Sequence, residues 1–148
     1  MSPIIRVCLA DRHRLFHIGI ETIIKQTEDI AFSGSATTET DTLRFCRERV
    51  PHILLLAFNI LTTSPTSFVN TFRQECPHTK IIALLADVDE TCIRSLLENG
   101  VSGCILKNEG PEDLLAAIQG VMAAETWVSS ALLKKHSRRK TLIRLTRS

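Results

Sequence analysis

Tyrosine is absent from the 148 residues, tryptophan occurs once, and no apolar run approaches the ~20 residues needed to cross a bilayer. Met1–Arg14 has neither the charged start nor the long apolar centre of a secretion signal. The five cysteines (Cys8, Cys46, Cys76, Cys92 and Cys104) are odd in number and never closely paired, which argues against a disulfide framework and a zinc knuckle. Reduced thiols in a cytoplasmic protein fit that pattern better. No glycine-rich loop follows the first apolar run, so a dinucleotide or nucleoside triphosphate cradle has no support. Gly-x-Ser-x-Gly does not occur either, and with it a nucleophile elbow is excluded. What is present is 44% apolar and 23% charged residues, enough to bury the core of one domain of ordinary size.

The net charge of +2 hides a division along the chain. Residues 134–148 carry seven Lys and Arg (Lys134, Lys135, Arg138, Arg139, Lys140, Arg144, Arg147) and no acid, whereas residues 1–133 carry eleven bases against sixteen acids. A basic tail on an acidic body reads as a solvated linker or a nucleic-acid arm.

Five short apolar runs stand out: Ile4–Ala10, Ile30–Ser33, Ile53–Phe58, Ile81–Ala86 and Cys104–Leu106. Three of them are nearly continuous, as expected for strands covered on both faces. Helical spacing separates them, in Phe16, Ile20, Ile23 and Ile24, in Leu43, Cys46 and Val50, and in Phe68, Val69 and Phe72. The spacing returns in Ile93, Leu96 and Leu97 and again in Leu114, Leu115, Ile118 and Val121. Thr38 and Pro65 mark helix starts, Gly100 follows the fourth helix and Pro111 opens the fifth. The polar stretches Ser33–Thr42 and Thr62–Ser67 read as loops with helix caps. Strand and helix alternating in this way predict an α/β fold, a five-stranded parallel sheet doubly wound as (βα)5. In such a sheet ligands gather beyond the carboxyl ends of the strands. Those ends deliver Asp11 and Arg12, then Ala57 and Phe58, then Leu85 and Ala86, and Lys107.

At this point the residues carry a resemblance. The segment IRVCLADRHRLFHIGI (Ile5–Ile20) resembles the opening of bacterial response-regulator receiver domains, in the branch with a LuxR-type helix-turn-helix output, the NarL/FixJ group. The segments VPHILLLAF, CPHTKIIALLA, LLENGVSGCILKNEGPEDLLAAIQGV and ETWVSS are similar to the same branch, in order and at the same spacing, so the likeness covers about residues 4–133. It implies a CheY-like, flavodoxin-like fold. It also implies a chemistry in which a histidine kinase phosphorylates an aspartate at the end of the third strand, with Mg²⁺ held by that aspartate and an acidic pair.

Carried over residue by residue, the phosphoacceptor position is Ala57, which has no nucleophile. The acidic pair is Asp11 and Arg12, and the hydroxyl position at the end of the fourth strand is Leu85. Only Asp11 and Lys107 stand as in the family. Asp11, Arg12 and Lys107 sum to one positive charge, a poor offer to a hard cation that is held through carboxylates. Asp11 is expected to pair with Lys107 or Arg12 instead. The family's switch aromatic on the fifth strand is replaced by Cys104, and no tyrosine is available to substitute for it. The loop Asn59–Ser67 also departs from the family's usual Met-Pro-Gly sequence.

Several sharper readings compete with plainer ones. His13 and His17, four apart, could hold a metal, but no second ligand pair is evident and no metal or cofactor is expected. Trp127 reads as a packing residue and Cys104 as a buried small hydrophobe, with a redox sensor as its alternative. Arg12 and Lys107 could together hold a small anion at the vacated site. Cys104, Leu114 and Ile118 are the candidates for a dimer interface or switch face, and the dimer contact itself is expected on the fourth and fifth helices first and the first helix next.

The expected organisation is a receiver-like domain over residues 1–128. A basic helix and linker over residues 129–148 would follow, capped at Ser129 or Ser130 and leading to a DNA-binding domain that lies beyond it. The expected function is a phosphorylation-independent regulatory and dimerisation domain of an atypical transcription factor, cytoplasmic and not an enzyme, with no phosphotransfer from a histidine kinase. The alternatives are a small-molecule-sensing pseudo-receiver and a stand-alone protein adaptor.

Overall fold

Residues 4–87 and 89–129 are described by the computed structural model. The element order is β1 (Ile5–Ala10), α1 (Arg14–Lys25), β2 (Ile30–Ala36), α2 (Glu39–Arg49), β3 (Ile53–Ala57), α3 (Pro65–Glu75), β4 (Lys80–Leu85), α4 (Glu90–Glu98), β5 (Gly103–Leu106), α5 (Pro111–Met122) and β6 (Trp127–Val128). A single 3-10 turn, Phe58–Ile60, follows β3 directly. All strand pairs are parallel and the order across the sheet is β2-β1-β3-β4-β5-β6.

The sheet has six strands where five were expected. The extra one, Trp127–Val128, pairs with Gly103 and Cys104 of β5. Two residues carry no periodicity, and only the neighbouring strand makes them a strand. β2 also runs past its apolar run to Ala36, taking in residues read as loop. It is an edge strand and half-exposed, so polar residues suit it, and Ser33 is bulged out where Val7 faces Phe32 and Cys8 faces Gly34. Val50 was the last apolar position expected of α2; it is instead the left-handed residue that ends the helix (φ 46°), and it is exposed.

Alternation along the strands divides the core into two layers. Cys8, Leu54, Leu56, Ile81, Leu85 and Cys104 point to the side covered by α2, α3 and α4, meeting Cys46, Phe68, Phe72, Ile93 and Leu96. Val7, Leu9, Leu55, Ala57, Leu84 and Ile105 point to the other side, where α1 and α5 supply Ile20, Ile24, Leu114, Ile118 and Val121. The helix ends obey local chemistry. Thr38 caps α2 through the Asp41 N–H, Ser64 caps α3 through the Ser67 N–H with Pro65 in the first turn, and Asp89 caps α4 through the Cys92 N–H. Trp127 folds back on α5 so closely that a Cβ at Gly120 would lie 2.5 Å from its ring, which makes glycine necessary there. The expected basic helix and linker lie, apart from Ser129, outside the described residues.

The strand order reverses between β1 and β3, since β1 leads outward to β2 and β3 leads the other way. The crevice beyond the carboxyl ends of these two strands is the place where such sheets do chemistry.

Candidate functional site

Asp11 stands one residue past the end of β1 and is wholly buried. Its backbone N–H still donates to the Ala36 carbonyl at 3.1 Å, which fixes its position beside β2. Three groups converge on the carboxylate. The His13 N–H donates to Oδ1 at 2.7 Å, the Asn59 amide donates to the same oxygen at 3.0 Å, and the Lys107 ammonium lies 2.6 Å from Oδ2. Burial alone would raise the Asp11 carboxyl, but Lys107, the His13 N–H and Asn59 together hold it below the ordinary carboxylate range.

Lys107 leaves the end of β5, where its N–H bonds the Leu85 carbonyl at 2.7 Å, and crosses the face of Phe16 with Nζ 4.6 Å from the ring centre. Its Nζ also lies 2.9 Å from His13 Nδ1, which is itself 3.2 Å from Asp11 Oδ1. His17 Nε2 bonds the Asp11 carbonyl. The two histidines thus serve as hydrogen-bond partners around Asp11, and no cluster of three metal-ligating side chains occurs among the described residues.

The expected ion pair is therefore made by Lys107 and Asp11. Arg12 is exposed; its backbone N–H donates to Asn59 Oδ1 at 3.1 Å, so Asn59 ties Arg12 to the Asp11 carboxylate through opposite ends of one amide. An anion held by Arg12 and Lys107 together would have to displace Asp11 from the ammonium. Ala57 and Leu85 close the ends of β3 and β4, both buried, and their side chains join opposite core layers. Mg²⁺ needs oxygen ligands in an octahedral set. Here a single carboxylate is present, already engaged by an ammonium, flanked by an arginine and an alanine, and the donor set does not fit that ion.

Asn59 was not singled out from the sequence as a site residue. Its signal was available, since it sits two positions past Ala57 at a strand end. Cys104, Leu114 and Ile118, the candidates for a dimer interface or switch face, are buried in the core of the chain, which leaves no side chain of theirs at the surface for a partner. β5 is central enough to be covered on both faces, and α5 turns its apolar stripe to the sheet. Burial pushes the Cys104 thiol up to about 12, which removes the thiolate a redox sensor needs. Trp127 packs on α5 as expected.

A second feature lies next to the site. Between α1 and α5 a cavity of about 160 Å³ opens over the ends of β4 and β5, with Phe16, Gly19, Ile20, Ile23, Leu84, Ile105 and Leu114 in its walls and Lys107 and Glu109 among its polar residues. At its rim α1 exposes Leu15 (83%), which also lines the cavity, and beside it Ile18 (61%).

Among known proteins, the family model described as the response regulator receiver domain matches residues 7–119. The transcriptional regulatory protein MctR of Rhizobium johnstonii is 28% identical over 130 residues, which cover 88% of this chain and 61% of MctR. The nitrate/nitrite response regulator protein NarL of Escherichia coli is 25% identical over 126 residues, covering 85% of this chain and 58% of NarL. The chain thus spans about three fifths of the length of these relatives. Among solved structures, a LuxR-family two-component response regulator from Aurantimonas sp. superposes with a TM-score of 0.84 at 20% identity, covering 93% of this chain and 99% of that one. The response regulator domain of Thermotoga maritima CheB superposes with a TM-score of 0.73 at 18% identity, covering 81% and 97%. The expected CheY-like fold is the observed one, and the chain belongs to the response regulator receiver domain family.

Proposed function

We propose that this chain is the receiver-like regulatory domain of a LuxR/NarL-type transcription regulator and that it works without phosphorylation. The observation that carries this reading is the Lys107–Asp11 pair with Ala57 at the acceptor position. In the family the lysine and the acidic residues serve a phosphoryl group and its metal; here the lysine pairs with Asp11, the one carboxylate among Asp11, Arg12, Ala57 and Leu85 at the strand ends. Among the described residues the strand ends bring no nucleophile, base and metal site together, which supports reading its work as contact rather than catalysis. Contact with DNA belongs to an output domain of the kind implied by the longer relatives.

A regulator that does not receive a phosphoryl group needs its working assembly to form without one, and we assign it a constitutive homodimer. The residues first expected at the interface are core residues, so we place the contact on α1, around the exposed Leu15 and Ile18. The test is incubation with a small phosphodonor such as acetyl phosphate and millimolar Mg²⁺, read by intact mass, with sedimentation in parallel. The unmodified mass and a dimer at tens of micromolar are the expected results. A phosphorylated species overturns the first claim, and monomer alone overturns the second.

A further inference from the structure

The segment that joins β3 to α3 is held at two points, and the two holds belong to different parts of the molecule. Its 3-10 turn, Phe58–Ile60, follows the last residue of β3, and Ile60 is buried in the layer under α2, α3 and α4. Asn59, in the middle of the turn, reaches toward β1. Its Nδ2 donates to Asp11 Oδ1 at 3.0 Å, and its Oδ1 accepts from the Arg12 N–H at 3.1 Å. Three residues on, Thr62 reaches α2. Its N–H and its hydroxyl donate to Glu39 Oε2 at 2.7 and 2.6 Å, and the Thr63 hydroxyl donates to Glu39 Oε1 at 3.4 Å.

Glu39 suits that task. It is the first residue of α2, after the Thr38 cap, where unpaired N–H groups and the helix dipole favour a negative charge. The hydroxyl and the N–H of Thr62 hold its carboxyl below the ordinary range, so it is an anion at neutral pH. Hydrogen bonds to an ionised acceptor are about twice as strong as those between neutral groups. Thr62 and Thr63 are themselves exposed, so Glu39 rather than packing fixes their place. From Ser64, the cap of α3, the chain is regular again. Among the described residues no side chain of α2 bonds the Asp11 carboxylate, so the direct line from α2 to that site is this segment.

We propose that residues 58–64 form a strap across the strand-end crevice, latched by Glu39 at Thr62, and that the latch keeps the Asn59 amide on Asp11 and Arg12. Glu39 is thus a positioning residue for a site it does not touch. Opening the latch frees Thr62, lets the turn draw Asn59 away, and leaves the Asp11 carboxylate with the His13 N–H and Lys107. Arg12 loses its backbone tie at the same moment, and the crevice beside Lys107 opens. Contact made at the start of α2 thereby reaches the strand ends by local opening, a motion that segments tied by a few exposed hydrogen bonds undergo most readily. The strap works in this way whether or not the domain takes a phosphoryl group or forms a dimer.

On the full 148-residue chain the latch is read by two signals, the ¹H–¹⁵N resonances of the Asn59 side-chain amide and the solvent exchange of the Arg12 N–H. Glu39→Ala is expected to move the Asn59 amide toward the position of exposed Asn70 and to speed Arg12 exchange about tenfold or more. The Asp11 N–H, bonded to the Ala36 carbonyl, should exchange as before. Thr62→Val leaves α2 untouched and removes one of the two donors to Oε2, so it should move both signals the same way and less far. Asp41→Ala removes another first-turn acid of α2, one whose side chain pairs with Arg44, and should move neither. In urea unfolding, Glu39→Ala combined with Asn59→Ala should cost less than the sum of the single changes, because each already releases the other hold. Signals unmoved by Glu39→Ala overturn the latch. Signals moved equally by Asp41→Ala also overturn it, since fraying of α2 would then be the cause, and so do additive losses in urea.

Discussion

Lys107 and Asp11 form a 2.6 Å ion pair between the ends of β5 and β1, with the carboxylate wholly buried and the ammonium side chain 22% exposed. The pair occupies the strand-end crevice that the fold reserves for chemistry, and its surroundings explain its charge state. Two neutral donors, the His13 N–H and the Asn59 amide, complete the shell of the carboxylate. The arrangement is closed on itself.

Removing one partner of such a pair leaves a buried charge without compensation, which costs about 3 kcal/mol or more. Lys107→Met should destabilise the domain by that order, measured by urea unfolding at pH 7. The double change Lys107→Met with Asp11→Asn should recover a large part of the loss, because it leaves no unpaired charge in the interior. Equal destabilisation of the single and double variants would show that Lys107 acts through packing on Phe16 instead.

The pair also sets an acid dependence. Asp11 is depressed below the ordinary aspartate value of 3.8 in the folded protein, so its contribution is fully present above that value and is lost as pH falls through the lower, folded one. Wild-type stability should therefore decline on acidification below about pH 4. Asp11→Asn should be less stable near neutrality and flatter across the same acid range, as read from urea midpoints between pH 5 and pH 2.

Ala57→Asp restores a nucleophile at the end of β3 but leaves Arg12 and Leu85 in place. We expect it to incorporate little phosphate from acetyl phosphate, and less than one tenth of what Ala57→Asp combined with Arg12→Asp and Leu85→Thr incorporates. Rapid labelling of the single variant would mean that the second carboxylate matters less than the electrostatics imply.

Val50 holds a left-handed conformation, φ 46°, that a β-branched side chain resists, and it is exposed at the end of α2. Relief of that strain is worth about 1–2 kcal/mol. Val50→Gly should raise stability by about 1 kcal/mol after the entropy of glycine is deducted, visible as a higher urea midpoint with an unchanged slope. A lower midpoint would place the value of Val50 in contacts made by its side chain.

The sequence by itself determined what depends on neighbours a few residues apart. Apolar runs without a polar face became central strands, threes and fours became α1 to α5, and Thr38, Pro65 and Pro111 marked helix starts because capping is a local hydrogen bond or a local φ. The identity of the strand-end residues was equally legible, Asp11, Arg12, Ala57, Leu85 and Lys107 alike. Tertiary structure alone decided which of them meet. Asp11 is paired with Lys107 rather than Arg12 because β1 and β5 bring their ends to one crevice, while the Arg12 side chain is exposed. Asn59 joined the site for the same reason: only the turn after β3 carries its amide to Asp11. Trp127–Val128 became a strand through β5, and Cys104, Leu114 and Ile118 went to the core because a helix stripe or a central strand has no spare face. Leu15 and Ile18 were left outside by the same geometry: the sheet takes one face of α1, and the opposite apolar face remains at the surface beside the cavity.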